Sequence, residues 1–234
     1  MRYLIITYIK IDAKIIEFMN SSLRLNVIFL ALFLPLFLDG FYNPIIAGTP
    51  GLYWAIEFTT WILIPSISMY AFWRTGGKFT DIGFCLPPSA MGWFELLLSL
   101  TISTVAFLGI YSGAKLLGRS WFPQNYLLIN FNYGSLIPHT GIAKTIVWLY
   151  FSLSAGIVEE LYFRGILKSL FRSSNVLFVL ISTLLFSAIH WEGGIHNLIA
   201  TGAAGLFMCI YYIIYRNIYV LMLAHGFADL ILFR

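Results

Sequence analysis

Seven apolar runs, separated by short polar links, leave this chain little choice of solvent. Only 10% of its residues are charged and 60% are hydrophobic, whereas a soluble domain carries roughly 25% charged residues. That is too little polar surface to coat a globule in water, so lipid must surround most of the chain. Backbone N–H and C=O groups in hydrocarbon have to pair internally, which admits only helices or closed barrels. The runs are continuous rather than alternating. The expected fold is therefore an all-α, polytopic transmembrane helical bundle, with spans near 25–39, 52–73, 93–117, 145–170, 176–191, 198–215 and 218–233. The first and fifth fall short of the roughly 20 residues a perpendicular helix needs. Either the bilayer thins there or those helices extend into polar flanks.

With no internal repeat, one membrane domain over residues 1–234 is the economical reading. Residues 1–24 mix Ile5, Ile6, Ile9, Ile15 and Ile16 with Lys10, Asp12, Lys14 and Glu17, the pattern of an interfacial helix. No compact apolar core followed by a small-residue cleavage site points to a signal peptide. Lys and Arg set the orientation. With the N-terminus inside, Arg2, Lys10, Lys14, Arg24, Arg74, Lys78, Lys168, Arg172 and Arg216 fall on the inner side. Lys115, Arg119, Lys144 and Arg234 fall outside, so the bias favours this orientation although Lys115 and Arg119 oppose it locally. Topology thus accounts for the net charge of +4, and without a concentrated basic patch a nucleic-acid partner is not expected. The compact length suits a bacterial cytoplasmic membrane. Cys85 and Cys209 offer neither a disulfide framework nor metal-ligand spacing. The longest connection, 118–143, should lie on the outer face.

Against this background, three polar clusters stand out inside apolar stretches. Ionisable groups at bilayer depth cost several kcal/mol unless paired or wet, which makes them functional candidates. Glu159 and Glu160 precede Arg164; on a helix Glu160 and Arg164 share a face and can pair, while Glu159 points about 100° away. Phe186 sits one turn before His190, and His225 one turn before Asp229. Each cluster alone has a plain structural reading: a helix end among headgroups, an interfacial histidine, a private His–Asp pair between helices. Asp39, Glu57 and Glu95 read as boundary residues, and His196 as interfacial.

Taken in order, Glu-Glu-x-x-x-Arg, Phe-x-x-x-His and His-x-x-x-Asp resemble the CAAX protease and bacteriocin-processing (CPBP, or Abi) family of intramembrane endopeptidases, over about 145–230. Phe163-Arg164-Gly165 adds to the likeness. The resemblance implies a catalytic core at 145–230 built around a hydrophilic cavity. In it Glu159 is the general base, His190 its partner, and His225 with Asp229 the stabilisers of an oxyanion. Glu160, Arg164 and Phe186 support them. The implied reaction is peptide-bond hydrolysis in a membrane-associated or lipidated protein or peptide, with lipid as the other partner. Asn is common where Asp229 stands, and an ionised Asp cannot donate a hydrogen bond, so Asp229 must be protonated or orient an imidazole.

Cofactor chemistry stays open at this level. Glu159, His190 and His225 could form a zinc site with an open water position. Because Glu159 cannot be ligand and base together, the metal-free glutamate mechanism is favoured. A catalytically idle scaffold or immunity protein and a proton-coupled transporter are the alternatives, although the repeated halves usual in transporters are missing.

Overall fold

In the computed structural model, the described residues are 26–46, 48–74, 76–86, 90–126, 128–129, 138 and 140–232; the predicted interfacial helix at 1–24 lies outside them. Among them are seven helices: α1 (Asn26–Ile46), α2 (Pro50–Arg74), α3 (Ala90–Trp121), α4 (Gly141–Leu170), α5 (Asn175–Ala188), α6 (Gly194–Tyr215) and α7 (Ile218–Leu232). The described residues form no strand, only an isolated bridge between Leu128 and Gly193. α1, α2, α3, α4 and α6 are long and apolar enough to cross a membrane, whereas α5 and α7 are shorter. The chain is a helical membrane bundle. Its outer surface carries Leu30, Leu97, Ile102, Val105, Ile146 and Leu184 in the open, which lipid tolerates and water would not.

Helix α1 corrects the expected boundary. It continues through Gly40 to Ile46 instead of stopping at Asp39. A Cβ at Gly40 would come within 2.9 Å of both Trp191 and Glu192, so the glycine lets the helix pass close against that loop. Trp191 Nε1 donates to the Phe37 carbonyl at 3.0 Å, and Phe29 and Phe33 both meet Phe163 edge-on.

α4 packs along α7, α3 along α6 and α7, and α5 along α6. The α4–α7 approach is the closest that backbone allows. A Cβ at Gly156 would lie 2.6 Å from Met222 O and from Gly226 N. Small residues let helices in lipid come this near, and here they bring the turn after Gly156 against the turn that holds His225.

Two helices carry π segments, Thr59–Leu63 in α2 and Leu161–Ile166 in α4. The second begins immediately after Glu160. Such segments shift helical phase and recur at functional sites. Ser182 of α5 donates to the Phe163 carbonyl at 2.7 Å, so this carbonyl has a partner outside its own helix.

The links gather at two ends. At one, Ile218 N donates to Gly83 O at 2.9 Å and Asn217 Nδ2 to Cys85 O at 3.1 Å, joining the α2–α3 and α6–α7 links. At the other, Ile129 N donates to Glu192 O and Ile195 N to Tyr126 O. The described part of the long connection therefore packs on the loop that holds His190.

Candidate active site

A cavity of about 710 Å³ is lined by residues of all seven helices, and Glu159, Phe186, His190, His225 and Asp229 are among them. Glu160 and Arg164 stand behind its wall, both fully buried. The close helix approach at Gly156 has a direct consequence for these groups. Glu159 and Glu160 lie one turn beyond that glycine, and His225 precedes Gly226 on the facing helix.

Arg164 ties the wall together. Its Nη1 donates to Glu160 Oε1 at 3.0 Å, its Nη2 donates to Gly205 O of α6 at 3.1 Å, and its guanidinium lies 4.2 Å from the Phe186 ring centroid. A planar fork suits these three tasks as a point charge does not. Glu160 Oε1 also accepts from His225 Nδ1 at 2.9 Å. His225 Nε2 lies 3.6 Å from Asp229 Oδ2, and the imidazole stacks on Phe107 with ring centroids 5.0 Å apart. A buried chain thus runs from Arg164 through Glu160 and His225 to Asp229.

Glu159 is arranged differently. Its side chain is 5% exposed and its Oε2 lies 3.7 Å from His190 Nε2, too far for a direct hydrogen bond. His190 is not on a helix face: α5 ends at Ala188, and the histidine sits in the following turn. Its Nδ1 donates to the Phe186 carbonyl at 2.8 Å. A carbonyl can only accept, so Nδ1 carries a proton, and in the neutral ring a bare Nε2 faces Glu159. A carboxylate and an unprotonated nitrogen facing one gap can both accept hydrogen bonds from the same water.

Three residues read from sequence as boundary or interfacial belong to this cavity instead. Asp39 and Glu57 line it, because α1 and α2 carry them inward rather than ending there. His196 also lines it; its Nε2 donates to the Phe122 carbonyl at 2.6 Å and the residue is 8% exposed. Glu95, by contrast, is exposed near the start of α3. Glu192 sits on the rim-forming loop, where burial pushes its carboxyl up to about 7. Lys115 and Arg119, the two cations that opposed the topology rule, line the cavity too. Local chemistry, more than membrane orientation, accounts for their position.

Among the described residues, no group of three or more His, Cys, Asp and Glu side chains is placed to hold a metal ion. His225 Nδ1 is held by Glu160, so Nε2 is the His225 nitrogen left to face the cavity.

No curated protein and no solved structure matches the chain. Residues 141–231 match the family model described as type II CAAX prenyl endopeptidase, Rce1-like. The match runs from the first residue of α4 to within one residue of the end of α7 and includes all three motifs. Residues 141–231, which hold all three motifs, are thus similar to the Rce1-like type II CAAX prenyl endopeptidases, and that likeness supports a CAAX-type intramembrane protease in general.

Proposed function

We propose that this protein hydrolyses a peptide bond in a membrane-associated or lipidated protein or peptide, using a water held between Glu159 and His190 and no metal. The catalytic core is 145–230. A water about 2.8 Å from both Glu159 Oε2 and His190 Nε2 donates one hydrogen to each, because both atoms accept. Its lone pairs are then free to attack the scissile carbonyl. Glu159 takes the proton as the C–O bond forms and delivers it to the amide nitrogen as the C–N bond breaks, giving a carboxylic acid and an amine.

The oxyanion forms beside His225. As an imidazolium between two carboxylates, His225 donates from Nδ1 to Glu160 and offers Nε2–H to the developing charge. Asp229, 3.6 Å from Nε2, then keeps the imidazole charged without taking that hydrogen, which answers the difficulty that an ionised carboxylate has nothing to donate. Removing one such donor typically lowers turnover about 100- to 1000-fold. The proposed orientation has the N-terminus inside.

The observation that carries this reading is the 3.7 Å gap between Glu159 Oε2 and a His190 Nε2 whose other nitrogen is already committed. The test is cleavage of a lipidated peptide by detergent-purified protein. Glu159→Gln should keep its thermal transition and lose turnover at least about 100-fold, while a chelator leaves the wild-type rate unchanged. Equal cleavage by wild type and variant would overturn the assignment. Loss of the wild-type rate with chelator, restored by zinc, would overturn the metal-free mechanism.

A further inference from the structure

The mechanism above uses one side of His190, its ring. Its backbone carbonyl is held by a second set of residues that no motif contains. Asn197 Nδ2 donates to His190 O at 3.4 Å. Because that carbonyl can only accept, the amide orientation of Asn197 is fixed, and its Oδ1 faces away toward α3. There it accepts from Tyr111 OH at 2.6 Å, and the Tyr111 oxygen in turn accepts from Lys115 Nζ at 3.2 Å. Every bond runs in one direction, from an ammonium group on α3 to the peptide of His190. Hydrogen bonds aligned in a chain with a charge at its head polarise one another.

We infer that Lys115, Tyr111 and Asn197 form a positioning relay that holds His190 against Glu159. The inference rests on the reading of His190 as Glu159's partner. His190 lies past the end of α5 in a turn, where its N donates to Ser187 O at 3.0 Å and its carbonyl accepts from Gly193 N at 3.2 Å; Asn197 ties this local turn to α6 and, through Tyr111, to α3. Tyr111 and Lys115 are four residues apart on α3, so one rigid helix carries the head of the chain. Gly193 completes the arrangement, since a Cβ there would lie 2.5 Å from Asn197 Nδ2. The residue has φ of −74°, so its need is for space rather than for an unusual backbone. Asn197, Tyr111, Lys115 and Gly193 all line the cavity, yet none is within the hydrogen bonds that define the Glu159–His190 gap. They are positioning residues, acting through His190.

The experiment compares Asn197→Asp, Tyr111→Phe, Gly193→Ala and Lys115→Met with wild type, Glu159→Gln and Lys115→Arg in the same full-length protein. Asn197→Asp is isosteric and keeps the acceptor for Tyr111, but it places an oxygen where the donor to His190 was. It should lower kcat about 10- to 100-fold, the size seen when a partner that orients a metal-bound histidine is removed, with KM within about two-fold. Tyr111→Phe and Gly193→Ala should behave alike, and Tyr111→Phe combined with Asn197→Asp should cost no more than Asn197→Asp alone. Lys115→Arg restores a donor and should rescue Lys115→Met.

A second readout needs no turnover: the imidazole 15N shifts of His190 in histidine-labelled protein. Wild type should show Nδ1 protonated and Nε2 bare, and Asn197→Asp should show mixed tautomers. Wild-type cleavage that Glu159→Gln abolishes but Asn197→Asp leaves unchanged overturns the relay alone. Unaltered His190 shifts in Asn197→Asp overturn it whatever the activity. Cleavage indifferent to Glu159 overturns the hydrolytic reading, and the relay then stands or falls on the 15N shifts.

Discussion

Arg164 shows how much one buried side chain decides here. It bridges α4 to α6 through Gly205 and covers Phe186 of α5, while its charge is matched by Glu160. Removing one member of a buried pair strands the other and costs about 3–5 kcal/mol. Arg164→Leu should therefore lower thermal stability sharply. The double variant Arg164→Leu/Glu160→Gln should recover much of that loss, since no charge is left stranded. It should not recover turnover, because His225 Nδ1 has lost its anion; recovered activity on a peptide substrate would show that Glu160 does not act through His225. Glu192 makes a pH prediction. Its carboxyl is raised by burial from 4.5 to about 7, so the folded state holds its proton more tightly than the unfolded chain. Its contribution is fully present below about pH 4.5 and falls as pH rises through about 7. Melting curves of Glu192→Gln should accordingly lose that part of the decline between these values, and identical pH profiles for both proteins would contradict it.

At the scale of elements, the decisive contact is the crossing of α4 and α7. Gly156 meets backbone atoms, Met222 O and Gly226 N, which cannot rotate aside. Gly156→Val should push the helices apart, lower the melting temperature by several degrees and remove most turnover. Gly109→Ala on α3, where an added methyl meets nothing within 4 Å, is the matched control and should change neither. An active, stable Gly156→Val protein would mean that the close crossing does not set the site. This crossing was not legible beforehand. The three motifs could be read as residues with chemistry, but a glycine in an apolar run signals nothing until its neighbour is known. The π segment at Leu161–Ile166 was equally hidden. The Glu160–Arg164 pairing inferred from α-helical spacing nevertheless forms at 3.0 Å, because the shift begins just beyond Glu160 and the long Arg side chain absorbs it.

For the molecule as a whole, the two clusters of links define two ends, one holding Gly83, Cys85 and Asn217 and the other holding Asn125, Glu192 and Gly193. The cavity reaches the second end, where Asn125 and Leu128 line it. In the proposed orientation, N-terminus inside, the first end would be the cytoplasmic one. Cys85 is exposed and Cys209 buried, so a membrane-impermeant thiol reagent should label Cys85 in inverted vesicles and not in right-side-out cells. Labelling with the opposite sidedness would reverse the orientation. The sequence by itself determined the solvent, the helical class and the order of the chemistry-bearing motifs, because hydropathy and residue type are local properties. Only tertiary structure decided that Asp39, Glu57 and His196 face the same cavity as Glu159, and that Asn197 supports His190. Whether a polar residue ends a helix or lines a cavity depends on what the neighbouring helices bring to it, and in lipid that is set by how closely backbones can approach.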